Sequence, residues 1–374
     1  MKTLDARADT VGSLLRPPWL KAARERYAAG DIDATEFKRI EDAAVDEVVR
    51  LQEEAGLEVV TDGEMRRVSF QSQLAEAVEG LGEPSIDAYL WGDWRGTGEV
   101  GDRLVARPES LGVTGKLRRR RHLSVEEFVY LRARTSRTPK ITLPSPSLFA
   151  NFWSEGSAEV YPTLDEFLWD VAEILREEVD ELVRLGAEYV QLDAPQYPLL
   201  LEEKTRRFYE ERGWDLDRWL SKGIELDNHV IGDRAKRPGV SFGFHLCRGN
   251  QGSRWLSSGS YEAISRQIFG GVEADRLLLE YDDERSGDFE PLRHVPEDKT
   301  VVLGLVSTKT GRRRETAEDL EARIREAARY VPLERLAVSP QCGFSTSVVG
   351  NEISPEDEEY KLRTLVETAA RVWP

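Results

Sequence analysis

Residues 163–195 read TLDEFLWDVAEILREEVDELVRLGAEYVQLDAP, and the reading of this stretch decides the fold. Leu164, Leu168, Val171, Leu175, Val179, Leu182 and Leu185 recur at the spacing of an amphipathic helix. Thr163 and Glu166 form a capping box at its start, and Gly186 supplies a stop. Directly after it comes the apolar run Tyr189–Leu192, short enough for a buried strand and closed by Asp193. A helix feeding a buried strand is the unit of a parallel sheet built through crossovers.

The same unit recurs in both directions along the chain. Strands are predicted at Asp9–Gly12, Leu57–Thr61, Lys140–Leu143, Tyr189–Leu192, Val240–Phe244, Arg276–Glu280, Val301–Val306 and Leu336–Val338. Phe37, Ile40, Ala44, Val48 and Leu51 mark another helix, and Ser354-Pro355-Glu356 opens the last one with a cap and a proline. Eight such units predict an α/β chain folded as one (β/α)₈ TIM barrel over residues 1–374. A doubly wound open sheet is the alternative, but neither G-x-G-x-x-G nor G-x-x-x-x-G-K follows any strand. The stretch of residues 83–137 exceeds a simple crossover. It holds Trp91, Trp94 and the basic run Lys116 to Arg121, and reads as an insertion after the second strand, packed beside the barrel mouth.

Composition bounds the function. Hydrophobic residues make up 40% and charged residues 32%, and nine Trp, eleven Tyr and twelve Phe exclude a disordered chain. A net charge of −17 repels a phosphate backbone and argues against a nucleic-acid partner. No segment reaches the roughly 20 apolar residues of a membrane span, and the N-terminal residues lack the apolar core of a secretory signal. Two Cys make no disulfide framework. A soluble, cytoplasmic protein is expected; its oligomeric state cannot be read from the sequence.

A barrel of this kind carries its chemistry at the C-terminal ends of its strands. His245 and Cys247 lie two residues apart just past one strand, so extended backbone places them on one face. Cys342 follows another strand and Glu280 closes a third. Two thiols, an imidazole and a carboxylate form a zinc set, the alternative being small buried hydrophobes and an ordinary histidine. Asp62, Glu64 and Asp193 are strand-end carboxylates. They are suited to holding a substrate ammonium or to acid/base work, or else to salt bridges with Arg66 or Arg67. Phe149, Phe152 and Trp153 form either a stacking wall or plain packing. The basic run reads as a solvated face or as a patch for a polyanionic tail.

The stretches Val11 to Pro17, Thr61 to Glu64, Gln191 to Pro195, His245 to Asn250, Leu279 to Arg285 and Ser339 to Phe344 resemble the cobalamin-independent methionine synthase family, in particular its short single-barrel bacterial members. The resemblance implies Zn2+ held by His245, Cys247, Glu280 and Cys342. It also implies Ser13 on the carboxylate of homocysteine, with Glu64 and Asp193 on its ammonium. The activity it implies is methyl transfer from a methylated folate, or from another donor such as methylcobalamin, to the homocysteine thiol. Long members carry an N-terminal barrel that helps bind the folate polyglutamate, for which 374 residues leave no room. Lys309 stands about where long members place a His implicated in proton transfer, and is the candidate catalytic residue. Its segment, Gly304 to Thr310, is also similar to epoxyalkane–coenzyme M transferases, which activate another thiol; Arg16, Arg66 and Lys309 are candidate partners for a sulfonate. A metal-free hydrolase using Glu64 with Asp193 or Glu280 is the other alternative.

Overall fold

The computed structural model describes residues 4–82, 85–109, 111–233, 237–311 and 313–374. In chain order its strands are β1 (Val59–Val60), β2 (Val78–Leu81), β3 (Gly92–Trp94), β4 (Arg103–Val105), β5 (Val113–Arg119), β6 (Thr138–Pro144), β7 (Tyr189–Asp193), β8 (Ser241–Leu246), β9 (Arg276–Glu280), β10 (Thr300–Val306) and β11 (Leu336–Pro340). Seven of them form one parallel sheet in the order β1-β6-β7-β8-β9-β10-β11. Each barrel strand neighbours the next one in sequence, so the strand order has no reversal of the kind a doubly wound sheet needs. The fold is a TIM barrel.

The helix Leu164–Arg184 forms as its periodicity predicts. Thr163 accepts from the Glu166 amide, and Gly186 at φ 92° turns the chain into β7. Its apolar stripe, including Leu168, Val171, Leu175, Val179 and Leu182, is buried. The closing helix Pro355–Val372 starts from Ser354, whose side chain accepts from the Asp357 amide.

The expected first strand, Asp9–Gly12, is a correction. Only a single parallel bridge, Ala8 to Val338 of β11, marks its place. On its other side the segment is tied to the region beyond β1 by the Thr61 hydroxyl donating to Gly12 O, 2.5 Å, and by Leu14 N–H donating to Gly63 O, 3.1 Å. The reason lies in Asp9, fully buried inside the barrel. It accepts from Lys140 Nζ at 3.0 Å and from the Tyr189 hydroxyl at 2.8 Å, and lies 3.4 Å from Arg276 Nη2. Burial opposes its ionisation, and Lys140, Arg276 and Tyr189 more than reverse that, holding its carboxyl below the usual range. The segment is thus anchored inside the barrel through the Asp9 side chain, with one bridge in place of a ladder.

The chain leaves the barrel earlier than residue 83 and returns before 137. β2 pairs antiparallel with β5, and β3 with β4, as two small sheets. The helix Val125–Arg132 already packs on β6 and on the helix Leu164–Arg184. Much of the basic run lies on β5, where exposure alternates along the strand; Lys116 sits 3.7 Å from the Tyr161 ring centre and Arg119 pairs with Glu177 at 2.9 Å. No helix among the described residues is long and apolar enough to cross a membrane.

Candidate metal centre and the cleft above it

Alternation along a strand sets the centre. Tyr189, Gln191 and Asp193 share one face of β7, with Val190 and Leu192 on the other. Tyr189 reaches Asp9 inside the barrel, so Asp193 caps the inward face at the C-terminal end. By the same alternation His245 ends the inward face of β8, and Cys247 follows two residues on. Cys342 comes two residues after β11.

These distant pieces meet. The donor atoms of His245, Cys247 and Cys342 all lie within 4.8 Å of one another, and the three side chains are buried. The two sulfurs are 3.1 Å apart, well beyond the roughly 2.05 Å of a disulfide, and both thiols are free. Cys247 also accepts from Gly249 N–H at 3.3 Å. The Cys342 thiol and the His245 ring hold Cys247 well below the ordinary thiol range, while Cys342 is pushed well up by that same bond and by burial. His245 Nδ1 faces Leu278 O at 3.3 Å, whereas Nε2 is buried without a partner among the described residues. Two close sulfurs and an imidazole donor within 4.8 Å of one another fit a metal ion that prefers nitrogen and thiolate donors.

Glu280, the fourth expected ligand, lies outside this three-donor cluster. Its Oε2 accepts from Arg248 N–H at 2.9 Å and its Oε1 from Arg285 Nη2 at 3.0 Å, with Lys309 Nζ 3.6 Å away. Its charge nonetheless acts on both His245 and Cys342, so it is a neighbour of the centre. Lys309 is buried behind that carboxylate and is not part of the cleft lining.

The centre forms the floor of a cleft of about 410 Å³, lined also by Ser13, Glu64 and Asp193. Glu64 adopts φ 56°, a strained setting for a side chain with a Cβ. Its amide is held by Asp62 Oδ1 at 2.9 Å and its Oε1 by the Thr142 hydroxyl at 2.7 Å, leaving Oε2 buried and unpartnered. Gly12 makes room for it: a Cβ there would stand 2.8 Å from Glu64 Oε1. Likewise a Cβ on Gly343 would meet Ser13 Oγ at 2.0 Å. Asp193 accepts from Gln191 Nε2 at 2.6 Å; burial, with the Glu64 charge adding, pushes its pKa up to about 7 against the pull of His245. Two buried carboxylates, one with a free oxygen, are groups whose burial is costly without a cation or hydrogen-bond donor beside them.

Some supporting residues escape a sequence reading. Arg67 bonds Glu127 at 2.8 Å and Thr142 Oγ1 at 2.8 Å, and lies 3.5 Å from Glu64, so the expected bridge to Glu64 is one part of a larger buried network. Arg66 pairs instead with Asp42. Arg16 is spent on the carbonyls of Ser345, Ser347, Glu64 and Arg67. Asn250, inside a motif already singled out, donates to Gly343 O and Thr308 Oγ1, both 2.8 Å, and so steadies the Cys342 loop. Of the three aromatics after β6, Phe152 lines the cleft while Phe149 packs in the core. Trp153 donates to Tyr161 O.

Residues 7–370 match the family model described as cobalamin-independent synthase, catalytic domain. The chain belongs to the cobalamin-independent methionine synthase family. Within it, the chain is 36% identical to the uncharacterized protein YxjH of Bacillus subtilis, over 98% of this chain and 94% of that one. It is 24% identical to the 5-methyltetrahydropteroyltriglutamate–homocysteine methyltransferase of Bacillus licheniformis, over 96% of this chain but only 42% of that longer protein. A solved structure titled as a putative vitamin-B12 independent methionine synthase from Listeria monocytogenes superposes with a TM-score of 0.74 at 28% identity, covering all of both chains. Membership in a cobalamin-independent family removes methylcobalamin from the expected donors.

Proposed function

We propose that this enzyme transfers a methyl group from an N5-methylated folate to the thiol of homocysteine, yielding methionine, with zinc at the His245–Cys247–Cys342 centre and Glu280 as its fourth ligand. The observation that carries the reading is the placement of a three-donor nitrogen and sulfur cluster on the floor of the cleft whose wall holds Glu64 and Asp193. Zinc bound there would favour the thiolate of an incoming thiol at neutral pH, where a free thiol of pKa about 8.5 is mostly protonated.

The chain's own residues position the acceptor. Glu64 Oε2 and the Asp193 carboxylate take the ammonium, which supplies the partner that Glu64 Oε2 lacks. Ser13, pressed against Gly343, takes the substrate carboxylate. Fixing one end by its ammonium and carboxylate leaves the sulfur end directed to the cleft floor, and such positioning is worth on the order of 7–11 kcal/mol in well-oriented reactions. In balance, the donor nitrogen loses a methyl group and gains a proton, while sulfur loses its proton and gains the methyl group. Lys309 acts in this reading through Glu280, holding that carboxylate beside the centre. A reducing cytoplasm suits the chain's two free, buried thiols.

The sulfonate-thiol alternative is disfavoured because none of Arg16, Arg66 and Lys309 lines the cleft and each is engaged elsewhere. Purified zinc-loaded protein supplied with homocysteine and 5-methyltetrahydrofolate tests the proposal. Methionine and tetrahydrofolate should appear in equal amounts; no methionine above a protein-free control would refute it.

A further inference from the structure

The cleft also has an aromatic part, to which the excursion and the segments after β6 and β7 all contribute. Trp91, Trp94 and Tyr89 line it together with Phe152, Phe208 and Tyr209. Trp91 and Phe208 lie with ring centres 5.5 Å apart, and Tyr89 and Phe152 6.1 Å apart, giving the cleft a wall of aromatic faces. Flat heteroaromatic groups stack on such walls.

The cations on this side fall into two kinds. Arg95 is neutralised by Glu202 at 2.7 Å, and Lys204 by Asp93. Arg107, which also lines the cleft, bonds no carboxylate among the described residues. Its Nη2 donates to the carbonyls of Leu111 and Asn151, 3.2 and 3.1 Å, and its Nε is buried and unpartnered. Beside it Arg212 spreads over the Phe208 ring at 3.6 Å and donates to Phe208 O at 2.6 Å, again without a carboxylate among the described residues. Burial and then the Arg212 charge both work against the Arg107 cation. Arg107 in the cleft lining, with the Arg212 guanidinium beside it and neither bonded to a carboxylate among the described residues, calls for an anion in a protein of charge −17. Arg also offers a fork suited to a carboxylate.

We infer that Arg107, with Arg212 beside it, forms a carboxylate subsite that receives the glutamate end of the methyl donor while the donor's ring lies along the Trp91–Phe208 wall. This rests on the folate reading above and assigns donor recognition to the excursion together with the segment from Phe208 to Arg212. The donor then meets one charged pole and homocysteine the other, so the two substrates sort themselves by charge within one cleft.

Binding measured by tryptophan fluorescence on the zinc-loaded protein tests this with two probes: 5-methyltetrahydrofolate, the glutamate form, and its glutamate diamide, which has the same size and no carboxylate. The wild-type protein should prefer the glutamate form by about tenfold or more. Arg107→Met and Arg212→Met should each erase most of that preference, Arg107→Lys should retain part of it, and homocysteine affinity should stay unchanged in all three. Because Arg107 also ties two loop carbonyls, Arg212→Met serves as the variant least able to disturb the fold. Equal binding of both probes to the wild type would overturn the subsite while leaving the folate reading intact. A preference that survives both Met variants would overturn its placement. Failure of both probes to bind would overturn the folate reading itself, and the subsite with it.

Discussion

The sulfur atoms of Cys247 and Cys342 stand 3.1 Å apart although 95 residues separate them along the chain. Two intervening strands, β9 and β10, lie between their own strands in the sheet, so only the curvature of the barrel brings them together. A pair of free thiols this close, with an imidazole donor of His245 within 4.8 Å, is the arrangement a metal ion would complete.

The first prediction follows from that pair. Wild-type protein should carry about one zinc per chain by elemental analysis, and Cys247→Ser, Cys342→Ser and His245→Gln should each lose most of it. Circular dichroism would check that the variants remain folded. Full metal retention in both cysteine variants would contradict the ligand assignment.

The Thr142 hydroxyl should matter to the acceptor alone. It holds Glu64 Oε1 at 2.7 Å and accepts from Arg67 at 2.8 Å. A hydrogen bond to a charged group contributes about 1.5–3 kcal/mol, so Thr142→Val should weaken homocysteine binding about tenfold or more. Calorimetric titration of homocysteine, with the folate titrated beside it, should show the loss for the first ligand only.

Removing a cation from the barrel interior should be costly. Lys140 and Asp9 are both fully buried, 3.0 Å apart. Lys140→Met strands part of the Asp9 charge, and breaking such a pair costs about 3–5 kcal/mol. Urea unfolding monitored by tryptophan fluorescence should show the midpoint falling accordingly. The double variant Lys140→Met, Asp9→Asn should recover part of the loss.

A pH effect is expected away from the cleft. Glu358, in the first turn of the closing helix, accepts from Leu15 N–H at 2.8 Å, yet burial pushes its pKa up to about 8 from 4.5. The folded chain therefore binds a proton that the unfolded chain has already released. Stability should decline as pH rises from about 4.5 to about 8, by at most roughly 5 kcal/mol from this group. Glu358→Gln keeps the acceptor and removes the titration, so the stability gap between variant and wild type should widen across that window and level off above it.

Much of this was written locally. The alternation of Tyr189, Gln191 and Asp193 and the stripe of the helix before them predict β7 and its crossover without reference to the rest of the chain. His245, Cys247 and Cys342 were legible because strand ends are where a barrel gathers its chemistry. The segment around Asp9 was not, because its conformation answers to Lys140, Tyr189 and Arg276, residues remote in sequence. The start of the excursion was missed for a similar reason: Val78–Leu81 becomes a strand by pairing with Val113–Arg119 rather than through its own pattern. Thr142 carries no sequence signal of its role, and Arg67 was legible only as a salt-bridge partner of the strand-end carboxylates, since hydrogen bonds between neighbouring strand ends leave no periodicity.

The most direct measurement is X-ray absorption at the zinc K-edge, before and after homocysteine is added. The account predicts a resting site of nitrogen, oxygen and two sulfur ligands that gains a third sulfur at about 2.3 Å when the thiol enters. A spectrum that homocysteine leaves unchanged, or a resting site without two sulfurs, would contradict it.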